Sequence, residues 1–310
     1  MRIALIGQAP FGAAVYEKLR ENGHTIVGVF TPPEREGGRP DALADAARRD
    51  GTTLVQPRRW QRKGEVEEAV VEEYEATQPD LNVMAFVTQI IPQRVLDFPA
   101  QQTIQYHPSL LPKHRGRSAI NHSLLAGDAE TGLTIFWVDA GIDTGPVLLQ
   151  KRFAVGPNDT VNTVYRDHLF PLGVDALAEA VELVASGEAP RIPQDEDAAT
   201  YEGPWEKDIA RIDWSQAADT VHNFIRGSDR QPGAWTTLGD RSVKVYGSSR
   251  VDAEAGMAGS VAGVSQAGLV IRCGDGGAVL VDTVMAEGEK RGPASEWASS
   301  AGVAEGATFE

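Results

Sequence analysis

The stretch MRIALIGQAPFGAAVYEKLRENGHTIVGVF, residues 1–30, decides the fold class. Arg2 to Ile6 is a short, nearly all-apolar run and Thr25 to Phe30 (TIVGVF) is a second, the pattern of strands covered on both faces of a sheet. Between them Gly7 and Gly12 bracket a turn into an amphipathic segment that carries Val15 and Leu19 and closes at Gly23, which predicts a helix. Two parallel strands joined by a helix form a right-handed crossover unit, so the chain begins as α/β.

The alternation continues downstream. An alanine-rich helix is predicted over 41–49, a strand over 52–55, a helix over 64–78 (GEVEEAVVEEYEATQ) and a strand over 81–86 (LNVMAF). Strands at 103–106, 134–139 (TIFWVD) and 147–155 (VLLQKRFAV) read as a mixed edge of the same sheet. Asp159 is placed to cap a helix starting at Thr160, and Pro171 to kink the helical run that ends near Gly187. The segment EAPRIPQDEDAATYEGP, 188–204, is rich in proline and acid with no sustained period, so it reads as a linker with a domain boundary near residue 200. Beyond it come a Ser215-capped helix (AADTVHNFIRG) and short glycine-punctuated strands, KVYGSS, GSVAGV, GLVIRC and AVLVDT, the pattern of a small β-barrel. The last ten residues are expected to be loosely held.

Composition narrows the function classes. At 310 residues the chain is long for a single core, which fits two unequal domains. Hydrophobic content of 42%, charged content of 24% and a mean hydropathy of -0.26 exclude disordered and fibrous classes. With 29 basic against 44 acidic residues the net charge is -15, so the average surface repels nucleic acid and anionic membranes. A single cysteine, Cys273, cannot form an intrachain disulfide or a thiolate cluster, which suits a reducing, cytoplasmic compartment. No segment approaches the roughly 18 consecutive apolar residues of a membrane span, and the N-terminus lacks the features of a secretory signal. The spacing of Gly7 and Gly12 fails both the dinucleotide fingerprint and the P-loop, and His107, His114 and His122 match no zinc pattern, so no metal is expected.

Two stretches carry chemistry. In QYHPSLLPKHRGRSAIN, 105–121, Gln105 and His107 are two apart at a strand end and share a face, while Pro108 and Pro112 shape the loop and Leu110 and Leu111 anchor it. In VDAGIDTGPVLLQ, 138–150, Asp143 lies in a turn between Gly141 and Gly145. Both stretches are predicted to emerge where open parallel sheets bind ligands, outside the carboxyl ends of the strands. On spacing alone the plainer account, a satisfied core histidine and a turn-forming aspartate, is slightly favoured.

These two stretches resemble the signature of the 10-formyltetrahydrofolate-dependent formyltransferase/hydrolase family, a His-Pro-Ser-Leu-Leu-Pro loop followed by Arg-Gly and an Asp-Thr-Gly turn. The likeness extends to MRIALIGQAPFG, FVTQIIP at 86–92, TYEGP, IRGSDRQPGAWT at 225–236, CGDGG and AEGEKR. It is greatest toward the hydrolase domain of 10-formyltetrahydrofolate dehydrogenase and includes methionyl-tRNA formyltransferases. The resemblance implies a Rossmann-like, folate-binding and catalytic domain over 1–203 and an OB-like domain over 204–310. The donor would be 10-formyltetrahydrofolate, with no NADP because the dehydrogenase portion is not in this sequence. His107 would stabilise negative charge on the formyl oxygen and help the folate nitrogen leave, and Asp143 would orient the imidazole and accept the proton of the attacking group. Gln105 stands where the family's transferases carry Asn, one methylene longer. Gln89, Ile90 and Ile91 would lie against the folate together with Asp143, backbone groups reading the pterin edge and apolar side chains covering it.

The acceptor follows from charge. Methionyl-tRNA formyltransferases carry a lysine-rich insertion after the second strand, whereas the matching TPPEREGGRPDAL has two arginines against three acids. Water (hydrolase) or a small amine is therefore expected, with tRNA disfavoured and a folate-binding module without turnover as a third class.

Overall fold

The computed structural model describes residues 1–310, which pack as two compact units. The first comprises Met1–Arg115, Gly132–Arg152 and His168–Tyr201, and the second Gly116–Thr131, Phe153–Asp167 and Glu202–Glu310. The chain passes into the second unit for the last time at Glu202, and two earlier segments also belong to that unit, so neither unit is one continuous stretch.

In the first unit seven strands run in the order Val147–Ala154, Glu130–Trp137, Thr103–His107, Leu81–Ala85, Arg2–Gly7, Thr25–Phe30, Leu54–Val55. The pairings among the last five are parallel, and Thr103–His107 pairs antiparallel with Glu130–Trp137. Ile3, Ala4 and Leu5 are fully buried, as a strand covered on both faces requires. The helix Ala42–Asp50 begins at Asp41, whose carboxylate accepts from the Leu43 and Ala44 N–H groups, and ends at Gly51 in the left-handed region. Asn82 is buried without cost because its amide bonds Tyr74 Oη, the Val95 carbonyl and Thr103 Oγ1.

Strand order reverses between Arg2–Gly7 and Leu81–Ala85. The chain first adds strands on one side of Arg2–Gly7, then crosses to the other, and such a reversal opens a crevice at the carboxyl ends. Gly7 stands opposite Ala85 there, and a Cβ on Gly7 would overlap the Ala85 carbonyl. A small cavity at this point is lined by Ile6, Gly7, Phe30, Phe86, Thr88 and Gln89, among others.

Several local expectations need correction. The helix expected over 64–78 is Glu68–Ala76, preceded by a short hairpin that turns through Lys63 and Gly64, both at positive φ. Thr160, not Asp159, caps the helix beginning at Val161, through a reciprocal bond with Thr163. The helical run is divided directly before Pro171: a π-helical turn, Tyr165–Leu169, leads into Phe170–Ser186, and Pro171 sits in the first turn of that helix.

In the second unit the helix Ala218–Ser228 receives its N-terminal acceptor from Asp275, 3.2 Å from the Ala218 N–H, rather than from Ser215. Two four-stranded antiparallel sheets follow, Ala234–Leu238, Arg241–Val245, Thr283–Ala286, Gly292–Pro293 and Ser248–Val251, Ala278–Val281, Gly268–Arg272, Val261–Ser265. Antiparallel strands are as expected, while the closure of an OB-like barrel is not among these pairings. The C-terminus is held rather than loose: Phe309 is 3% exposed among Trp214 and Trp297, and the Thr237 and Glu310 backbones exchange hydrogen bonds. A terminal apolar side chain that completes a core outweighs the small, polar composition around it.

Candidate active site

His107 ends the strand Thr103–His107, two residues past Gln105, which pairs with Met84 on one side and Phe136 on the other. Strand alternation therefore puts Gln105 and His107 on one face. The loop after His107 is pinned from below by Thr134, directly opposite His107 on the neighbouring strand. Its hydroxyl donates to the Ser109 carbonyl at 2.7 Å and accepts from the Leu111 N–H at 3.1 Å and Gln150 Nε2 at 3.0 Å. Ser109 Oγ donates to the Lys113 carbonyl at 2.7 Å, and Leu111 is buried as an anchor.

The Asp143 turn is built separately. Asp139 accepts from the Gly141 N–H at 3.0 Å and from Thr144 Oγ1 at 2.6 Å, closing a tight loop. A Cβ on Gly145 would overlap the Trp137 carbonyl, so only glycine fits. Asp143 itself adopts φ +57°, a left-handed conformation that Asp tolerates better than most residues.

The structure brings the three expected catalytic side chains together. His107 Nδ1 lies 3.5 Å from Asp143 Oδ2, and Gln105 Nε2 lies 3.3 Å from Asp143 Oδ1. The imidazole is 4% exposed and the aspartate 7%. His107 Nε2 is 2.8 Å from the His114 carbonyl, an acceptor only, so that nitrogen carries a hydrogen in every protonation state. The exchangeable position is Nδ1, facing the carboxylate. A histidine with one nitrogen fixed and the other toward a carboxylate can hold one proton and release it in a defined direction.

The residues expected to meet a ligand divide. Gln89 Nε2 donates to the Pro57 and Arg58 carbonyls at 3.0 and 3.1 Å, so its side chain ties the 86–92 loop to the loop after Leu54–Val55. Ile90 is 75% exposed, whereas Ile91 is 7% exposed and packs with Ile6, Phe30 and Trp60 in the core. Of the two isoleucines Ile90 presents its side chain outward, and Ile91 turns its side chain into the core.

Sequence reasoning missed a second layer. The supposed linker is bonded into this site: Val147 and Ile192 exchange backbone hydrogen bonds, the His114 N–H reaches Thr200 Oγ1, and Gln194 Nε2 donates to the Asp143 and Gly145 carbonyls. Arg115, 5% exposed, forks onto Gln194 Oε1 and the Glu196 carboxylate. The bonded Glu196 raises the Arg115 pKa, and Arg115 in turn holds the Glu196 carboxyl below its usual range. Such long-range bonds leave no local period, so only Arg115, inside the quoted motif, was in view. The structure contains no group of His, Cys, Asp and Glu side chains able to hold a metal ion, and no helix is long and apolar enough to cross a membrane.

Comparison with known proteins agrees in both units. Residues 1–181 match the family described as Formyl transferase, and residues 205–302 match Formyl transferase, C-terminal domain. The chain is 46% identical over 308 residues to mitochondrial 10-formyltetrahydrofolate dehydrogenase of Homo sapiens, covering 97% of this chain and 33% of that protein. It therefore spans about a third of the length of the dehydrogenases it matches. It is also 35% identical to methionyl-tRNA formyltransferase of Geotalea daltonii, over 99% of this chain and 97% of that one. Among solved structures, HypX from Aquifex aeolicus in complex with tetrahydrofolic acid superposes with a TM-score of 0.64 at 21% identity, over 97% of this chain and 47% of that one, a likeness of fold. With family matches over both 1–181 and 205–302 and the signature histidine and aspartate in contact, the chain belongs to the formyl transferase family.

Proposed function

We propose that this chain removes the formyl group from 10-formyltetrahydrofolate and passes it to water or a small amine, with His107, Asp143 and Gln105 as the catalytic set. The observation that carries the reading is the His107 Nδ1 to Asp143 Oδ2 approach of 3.5 Å with Nε2 committed to a carbonyl. Attack on the formyl carbon moves charge onto its oxygen, and expulsion of the folate nitrogen requires a proton. Protonated His107 supplies both needs from Nδ1. Asp143 takes the proton of the attacking water or amine, and Gln105, donating to its other oxygen, keeps the carboxylate in place. Formation and collapse of the tetrahedral adduct thus need no group beyond these three.

The folate would enter the crevice at the strand reversal, against the backbone of Gln89 to Ile91 and the exposed Ile90, with its reacting end toward Asp143. In this division residues 1–203 bind and react the folate, and 204–310 form the accompanying domain. Names of the relatives favour the same donor: the dehydrogenase is named for 10-formyltetrahydrofolate. No NADP or metal enters this scheme, and a cytoplasmic address fits the single buried thiol, Cys273.

A second reading, transfer to methionyl-tRNA, is favoured by the near full-length match to a methionyl-tRNA formyltransferase. Charge opposes it. In the loop at 31–43, Glu34 pairs with Arg48 and Asp41 caps a helix, leaving Arg35 and Arg39 as its only cations, and the chain carries -15 overall. Tetrahydrofolate release measured without acceptor, with small amines and with methionyl-tRNA separates these readings. Release into water or amine is expected. Formyl-methionine on tRNA, formed efficiently and suppressed by salt, would establish the second, and folate binding with no release in any arm would leave a binding module.

A further inference from the structure

We propose that Gln194 is a positioning residue of the formyl-transfer site, setting where the Asp143 carboxylate stands relative to His107. The inference rests on the reading just given and on one juxtaposition: the Gln194 amide lies between the Asp143 turn and the Arg115 guanidinium. Its Nε2 donates to the Asp143 carbonyl at 2.8 Å and the Gly145 carbonyl at 2.7 Å. Its Oε1 accepts from Arg115 Nε at 3.1 Å and Nη2 at 2.9 Å.

Chemistry fixes the orientation of this amide. Two carbonyls on one side can only accept and a guanidinium on the other can only donate, so reversing the amide would oppose acceptor to acceptor and donor to donor. Arg115 is itself held by both Glu196 oxygens, at 2.7 and 2.9 Å. The bonds then close a ring. His107 Nε2 donates to the His114 carbonyl, Arg115 is the next residue, Arg115 grips Gln194, Gln194 grips the Asp143 backbone, and the Asp143 carboxylate faces His107 Nδ1. Moving the Asp143 backbone away from His107 would break the Gln194 bonds of that ring. Its left-handed backbone adds a reason for the restraint, since the αL conformation of a non-glycine residue costs energy and persists only where surroundings impose it.

Gln194→Glu is the informative variant. A carboxylate still accepts from Arg115, so the Arg115 side of the ring stays closed, but it presents acceptors to two carbonyls and releases the Asp143 turn. Gln194→Met is the uncharged companion that removes both sets of bonds. A displacement of about 1 Å at a reacting group can cost on the order of a hundredfold in rate. For each variant kcat for tetrahydrofolate release is expected to fall by about tenfold to a hundredfold, with KM for 10-formyltetrahydrofolate within about twofold of wild type because Gln194 is not among the residues lining the cavity at the strand reversal. Amide exchange should accelerate over residues 141–147 and remain unchanged over 2–7. Wild-type kcat in the Glu variant, or in the Met variant should the Glu variant fail to fold, would overturn the proposal. A wild-type protein that releases no tetrahydrofolate would count against the functional reading alone. Gln194 would then be judged by exchange, where unchanged rates over 141–147 overturn it and acceleration confined there supports it.

Discussion

Thr134 offers a perturbation whose size can be worked from geometry. Its side chain is fully buried and its hydroxyl makes three hydrogen bonds, to the Ser109 carbonyl, the Leu111 N–H and Gln150 Nε2. Thr134→Val keeps the shape and removes all three. Gln150 retains its 2.8 Å bond to the Leu111 carbonyl, so two backbone groups of the catalytic loop lose their partner in the interior. At about 1 kcal/mol per neutral hydrogen bond, with a further penalty for an unsatisfied buried group, the loss is about 2–4 kcal/mol. Thr134→Ser, which keeps the hydroxyl and deletes one methyl, should cost about 1 kcal/mol. The assay is urea-dependent amide exchange of residues 103–107, because this strand reports on the first unit alone. Both variants should retain folate binding, and the Val variant should lose kcat as the loop after His107 loosens. If Thr134→Val is within 0.5 kcal/mol of wild type, or Thr134→Ser is as damaging, the loop is not held through this hydroxyl and the reasoning fails; such a small effect is what an ordinary surface site shows.

Three further outcomes are expected. Ile90→Asp should raise KM for the folate about tenfold, the loss of part of one buried aliphatic side chain, without destabilising the fold, while Ile91→Ala should cost about 2–5 kcal/mol of stability; the reverse pattern in a melt and a titration would remove Ile90 from the binding surface. His222, buried between Ser248 Oγ and the Pro157 carbonyl, has its pKa lowered chiefly by burial, so the folded state prefers the neutral ring. Its contribution is intact above about pH 6.5 and is lost as pH falls from there through the lowered folded value; urea midpoints of the second unit should drop between pH 7.5 and 5 in wild type and less so in His222→Gln, and equal drops would contradict this. Burial, reinforced by the Asp275 carboxylate, pushes the Cys273 thiol up to about 12, so iodoacetamide should label it at pH 8 only in urea, and native labelling at the rate of a free thiol would show the end of the strand Gly268–Arg272 to be open.

What could be read in advance was what leaves a local trace. Residues 2–6, 25–30 and 81–85 are largely apolar runs because both faces of the sheet are covered, so the α/β order was legible from hydropathy. His107 and Asp143 were legible as a pair through the motifs around them, since 36 residues separate them and no period links them. Gln194 and Thr200 were not, because their partners lie in the 112–115 and 143–147 loops and a segment whose hydrogen bonds all go elsewhere looks like a linker. The same blindness explains the cap of Ala218–Ser228. Ser215 has the right chemistry but lies two residues before the N-cap position, Ala217, and its hydroxyl is bonded to Asp213, while Asp275 arrives from far along the chain. Ile90 and Ile91 show the limit within a motif: adjacent, alike in composition, and sent in opposite directions by the backbone.

The central claim is that His107 and Asp143 act as one proton-handling unit in removing formyl from 10-formyltetrahydrofolate. The most direct measurement is single-turnover tetrahydrofolate release by wild type, His107→Ala, Asp143→Ala and the double variant. If the two side chains share one proton, each single substitution removes most of the rate and the double variant is little slower than either, a strongly non-additive cycle. Near wild-type release by either single variant, or losses that multiply in the double, would contradict the account.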